Sequence, residues 1–171
     1  MAISLYDITV PVFRRGLDRL EHVLGRGRVW AEAEGIDPQA LLAERLAPDM
    51  LSLTGQVQRA SDTAKLAVVR LGEVENVPFA DDEASLAEVI ARIERTRAFL
   101  AAVPRTALDG REDTVISPSI GRRQVTLPAR DYALGFALPN FFFHVTTAYA
   151  ILRARGVPLG KPDFIGPLGE T

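Results

Sequence analysis

Apolar residues recur every third or fourth position in four separate stretches of this chain, and that repeat constrains the fold more than any other feature. The first stripe is Tyr6, Val10, Phe13, Leu17, Leu20 and Leu24. The second is Met50, Leu53, Val57, Ala60, Ala64, Ala67 and Leu71, and the third is Leu86, Val89, Ile90, Ile93 and Leu100. The fourth runs through Ala137, Phe141, His144, Ala148, Ile151 and Leu152. A stripe at this spacing occupies one face of an α-helix, and four such helices bury their stripes best against one another. The expected fold is all-α, an up-and-down four-helix bundle in a single domain over residues 1–171.

Punctuation residues set the predicted boundaries. Ser4 and Asp7 fit a first cap, and Pro11 means that the regular helix either starts near that point or is kinked there. Gly35 is a stop, and Asp37-Pro38 opens a short helix to about Leu46. Pro48 restarts the chain in a longer helix that Gly72 ends, and "NVPFADD" is a connector. Ser85 and Glu88 fit a capping box, although Asp81 or Asp82 could also begin that helix. Two β-prone runs, Thr114–Ile116 and Gln124–Leu127, flank a Pro and Gly turn and predict a small hairpin before the last helix. Pro128 then opens the last helix, and a Gly- and Pro-rich tail over 156–171 is expected to pack on the bundle or on a partner.

Charge and composition exclude several classes of function. A formal charge of −2, with scattered arginines, argues against nucleic-acid binding. The absence of cysteine removes disulfides, thiolate metal sites and cysteine nucleophiles. The uncharged run Tyr132–Leu152 has the length of a membrane span, but Gly135, Pro139, Asn140 and His144 within it favour a helix buried in protein. No signal peptide is visible at the N-terminus, so a soluble cytoplasmic protein is expected. There is no GxGxxG, P-loop, GxSxG or HExxH motif.

One polar residue breaks the pattern. His144 lies near the centre of the fourth stripe, with Asn140 one turn before it. Pro139 has no N–H to give to the Gly135 carbonyl, and such a proline costs about 3 kcal/mol unless a kink or bulge absorbs it. On the second long helix, Gln56 and Asp49 fall at the border of the buried stripe. Asp62 points away and is expected in solvent, as is His22 on the first helix. Asp81, Asp82 and Glu83 read as a solvated helix N-terminus. His144 is either a core histidine with a polar partner or the centre of a site, and helix phase alone leaves both open. Phe142 and Phe143 lie beyond the stripe, which predicts an interface and a homodimer.

The segments "SLYDITVPVFRRGLDRL", "RLAPDMLSLTGQVQRASDTAK" and "FALPNFFFHVTTAYAILRARGVPLGKPDF" resemble an uncharacterised branch, a domain of unknown function, of the DinB/YfiT-like superfamily. That superfamily is a group of four-helix bundles regarded as metalloenzymes. The resemblance implies a divalent-metal site, built from one histidine of the second long helix and an HxxxH pair of the last. Some members are thiol-dependent transferases. Here the pair reads Asn140 and His144, and Gln56 stands nearest the third position. Neutral amides are poor replacements for imidazole, so no cofactor is expected, and zinc or nickel would bind weakly, through His144, unless Asp49 joined. Three readings follow: a bundle with a degenerate site binding a small polar ligand through Gln56, Asn140, His144 and Asp49; a metal-dependent thiol transferase; or a structural dimer module.

Overall fold

The computed structural model describes residues 3–167. Ser4 and Asp7 bond to each other at 3.1 Å and close a first turn, after which regular helix α1 runs over Val10–Ala33 with Pro11 in its first turn. Proline is tolerated there because that N–H would have no intrahelical partner. The helix therefore begins at the proline and is not kinked by it. Gly35 takes φ +69° and ends the segment.

The next boundaries correct the sequence reading. Asp37 accepts from the Gln39 amide, but the segment it caps is a 3₁₀ turn over Pro38–Ala43 and stops short of Leu46. Helix α2 covers Leu53–Gly72 and starts at Ser52, whose hydroxyl accepts from the Gly55 amide, rather than at Pro48. Gly72 is its last residue, and the left-handed residue that ends it is Glu73 at φ +54°. Helix α3, Leu86–Ala101, has the expected capping box between Ser85 and Glu88.

The hairpin consists of two nested antiparallel pairs. Strands β1 (Val115–Ile116) and β4 (Leu127–Pro128) pair at its base, and β2 (Ser119–Ile120) and β3 (Arg123–Gln124) pair at its tip. Gly121, at φ +59°, makes the turn. The last long helix then comes in three pieces: α4 over Ala129–Tyr132, a π-helical turn over Ala133–Ala137, and α5 over Leu138–Ala154. The π turn is the bulge that Pro139 demands. One extra residue in the turn relieves the ring's clash with the preceding carbonyls.

Helix α2 packs against α5 and α3, and α1 against α5 and α3, so the four stripes meet in one core. Phe13 and Phe141 are fully buried edge to face at 5.0 Å. The tail crosses back over α1 as a short helix, α6 (Lys161–Ile165), where Asp163 accepts from His22 at 2.9 Å and from Arg26 at 3.2 Å. His22 thus faces away from the core but holds the tail instead of lying free in solvent. Among the described residues no helix is long and apolar enough to cross a membrane.

Close approach of α1 and α5 requires Gly16. A Cβ there would sit 2.3 Å from Cε1 of the buried Phe141 ring. Gly16→Ala is expected to cost about 1–3 kcal/mol by overpacking. Gly25→Ala on the same helix meets nothing within 4 Å and should be neutral or stabilising by up to about 1 kcal/mol. Urea unfolding of the two variants checks this pair; equal midpoints would contradict it.

Candidate inter-helix site

Helices α2 and α5 run side by side, and two polar rungs join them within apolar packing. In the first, His144 Nδ1 and Gln56 Oε1 are 2.8 Å apart. Gln56 Nε2 donates to the Leu51 carbonyl at 3.2 Å, and this fixes which end of the amide faces the histidine. Because an amide oxygen only accepts, Nδ1 carries the proton and the neutral ring keeps its lone pair on Nε2. Nε2 has no protein partner among the described residues. It is also not one of the two sealed unpaired atoms, Arg92 Nε and Asp109 Oδ1. His144 is 9% exposed as a residue, and Nε2 is the ring nitrogen left without a protein partner among the described residues.

In the second rung Asn140 Nδ2 donates to Thr63 Oγ1 at 2.8 Å, while that hydroxyl donates to the Arg59 carbonyl at 2.6 Å. Asn140 Oδ1 is left as a free acceptor among the described residues. Burial, followed by the positive charge of Arg59, holds the His144 pKa below its ordinary value. Both effects disfavour the imidazolium.

The structure therefore brings His144 and Gln56 together directly and sets Asn140 beside them on Thr63. Asp49 is separate: it is exposed in the turn that precedes α2 and makes no bond to the other three. Among the described residues no three of His, Asp and Glu converge as metal ligands. Sequence reasoning missed Thr63, although it stands seven residues after Gln56 and so on the same helix face.

It also misplaced the carboxylates. Arg92 on α3 is fully buried, and its Nη2 meets Asp62 at 2.8 Å and Asp81 at 2.9 Å. Its Nη1 meets Glu83 and the Ala80 carbonyl, both at 2.8 Å. Asp62, Asp81 and Glu83 thus form an ion-pair network on Arg92 in place of a solvated surface, while Asp82 is exposed as expected. Phe79, in the connector, lies 4.1 Å from Lys65 Nζ and covers Arg95 at 4.9 Å. The available signal was Arg92 itself, which stands between Val89 and Thr96 on the buried face of α3.

A family model described as a domain of unknown function, DUF1993, matches residues 5–165. The chain belongs to that family. A solved structure agrees in fold: the crystal structure of a DinB family member from Shewanella denitrificans is 36% identical, with a TM-score of 0.89 over 98% of this chain and 94% of that one. This DUF1993 chain is a DinB-like helical domain. No curated protein matches it.

Proposed function

We propose that this DUF1993 domain uses the α2–α5 site to bind a small polar molecule by hydrogen bonds and not as a metal centre. The Gln56–His144 pairing carries the reading. Of the three inter-helix positions only one offers an imidazole, and the Gln56 oxygen is already spent on the Nδ1–H. The Arg59 charge nearby opposes a cation, and one imidazole with amides is a poor set for zinc or nickel. A neutral Nε2 lone pair and the free Asn140 oxygen suit a ligand that donates hydrogen bonds.

The test is long-range proton–nitrogen NMR of the imidazole with elemental analysis of the tag-free protein. A neutral Nδ1–H form at pH 7 and little bound metal are expected. Near-stoichiometric metal that disappears in His144→Ala would overturn this reading in favour of a metal-dependent transferase. The depressed pKa adds a second signature. Its contribution to stability is complete above the unfolded-state value near 6.5 and is lost as pH falls through the lower folded value. Stability should therefore drop more steeply below pH 6.5 in the wild type than in His144→Gln, and parallel pH profiles would contradict the assignment.

We further propose a cytoplasmic homodimer. Phe143 is 56% exposed beside the half-buried Phe142, an aromatic surface of the kind that marks interfaces. Light scattering at micromolar concentration should give twice the chain mass, and a monomer mass would remove the proposal.

A further inference from the structure

We infer that the cleft between α2, the hairpin tip and the π turn binds a small organic anion, with the Arg70 guanidinium recognising the charge. The cleft measures about 190 Å³, the space of about six waters, which suits a ligand of benzoate size. Leu66, Ile120 and Phe136 form apolar walls, and Thr63, Arg70 and Asn140 supply polar groups. Polar and apolar groups share the lining about equally, so the cleft suits a ligand with one apolar body and one polar or charged end.

Arg70 decides the sign of the ligand. Its Nη1 donates to the Tyr132 hydroxyl at 2.8 Å and its Nη2 to the Ser119 carbonyl at 3.3 Å. Both partners are uncharged, and no carboxylate pairs with Arg70 among the described residues. The positive charge is positioned without being neutralised, and three of its five N–H donors remain for an oxyanion. The other charges in the wall are already matched: Arg59 pairs with Asp62 at 3.5 Å, and Asp62 also pairs with Arg92. Arg122 and Arg123, both exposed, follow the wall residue Gly121 in the hairpin turn, so the tip carries no negative charge of its own. The free Asn140 oxygen offers an acceptor to a hydroxyl or amine on the same ligand.

This inference names a ligand class beside the proposed inter-helix site and shares Asn140 with it, but does not require His144, which is not in the cleft wall. Sodium benzoate is the probe, benzyl alcohol the neutral control and phenyl phosphate the second oxyanion, each titrated into nitrogen-15-labelled full-length protein. Benzoate should shift the Gly121 amide and the Asn140 side-chain amide and saturate in roughly the millimolar range expected of so small a ligand. Benzyl alcohol should bind about tenfold more weakly or less. Arg70→Ala, and independently Leu66→Trp, which fills the cleft, should each weaken benzoate about tenfold or more, with circular dichroism confirming the fold. His144→Ala should leave benzoate binding unchanged. Tighter phenyl phosphate with the same variant pattern would assign phosphate monoesters, and tighter benzoate would assign carboxylates. Absence of saturable shifts, equal binding of benzyl alcohol, or indifference to both Arg70→Ala and Leu66→Trp would overturn the inference. Loss of binding in His144→Ala alone would also overturn it, while leaving the inter-helix reading in place.

Discussion

Arg92→Met should lower the unfolding free energy by about 3–5 kcal/mol, the range for breaking a buried ion pair from one side. That corresponds to roughly a 10 °C fall in melting temperature for a chain of this size. The cause is less the lost attraction than what is left behind. Arg92 is fully buried, and the Glu83 side chain that bonds it is 2% exposed. Without the guanidinium, Glu83 keeps Gln58, at 2.9 Å, and its own backbone N–H, while Arg95 stands 3.8 Å away. Arg92→Met with Glu83→Gln should therefore recover part of the loss, because the orphaned charge goes too. Burial alone would raise the Glu83 pKa, but the hydrogen bonds from Gln58 and Arg92 outweigh it, and the net direction is down. Its stabilisation is present above the unfolded-state value of 4.5 and disappears as pH falls through the folded value. The stability gap between Arg92→Met and the wild type should thus narrow as pH falls, because protonating Glu83 removes the charge that the variant leaves orphaned while the wild type loses its ion pair. Urea melts across pH 3 to 7 measure both effects. A loss under about 1 kcal/mol would mean that water replaces the guanidinium and that the network behaves like a surface one.

The second large effect is a gain. Gln56→His combined with Asn140→His should create zinc binding where the parent has little. The distances support it: Gln56 already reaches within 2.8 Å of the His144 ring, and Asn140 lies one helical turn from His144 on α5. Residues four apart on a helix share a face, so three imidazoles could converge from two helices. At zinc a hundredfold above the dissociation constant, binding to the folded state adds about 2.7 kcal/mol of stability. The double variant should show that rise in thermal melts with added zinc, and the parent should not. Each single variant should gain less, since two imidazoles hold a borderline ion poorly. Arg59 works against the ion, so Arg59→Ala on the double variant should tighten it further. No zinc-dependent stabilisation in the double variant would mean that these positions do not converge on a common point.

These results divide what was legible in one dimension from what was not. The helices were legible because their signal is local. Each stripe needs only that a helix places every third or fourth residue on one face, and Val10, Phe13, Leu17, Leu20 and Leu24 are all buried as that rule requires. The capping box at Ser85 and Glu88 is equally local, and so is the bulge that Pro139 demanded, which became a π turn. His144 could be placed in the core by phase alone.

Its partner could not. Gln56 is 88 positions away, and only the packing of α2 on α5 brings its oxygen to Nδ1 and so sets which nitrogen stays free. The same limit explains the errors. Helical phase judged Asp62 solvated because it points off the α2 stripe. The connector over 73–85, which has no periodicity to read, folds back and carries Asp81 and Glu83 onto Arg92, beside Asp62. The cleft under the hairpin has no sequence signature either, since its walls come from α2, the strand turn and the π turn. Periodic burial is a property of neighbours along the chain and is written in the sequence. Pairing of charges, choice of tautomer and enclosure of a cavity depend on segments far apart in the chain, and the tertiary structure decides them.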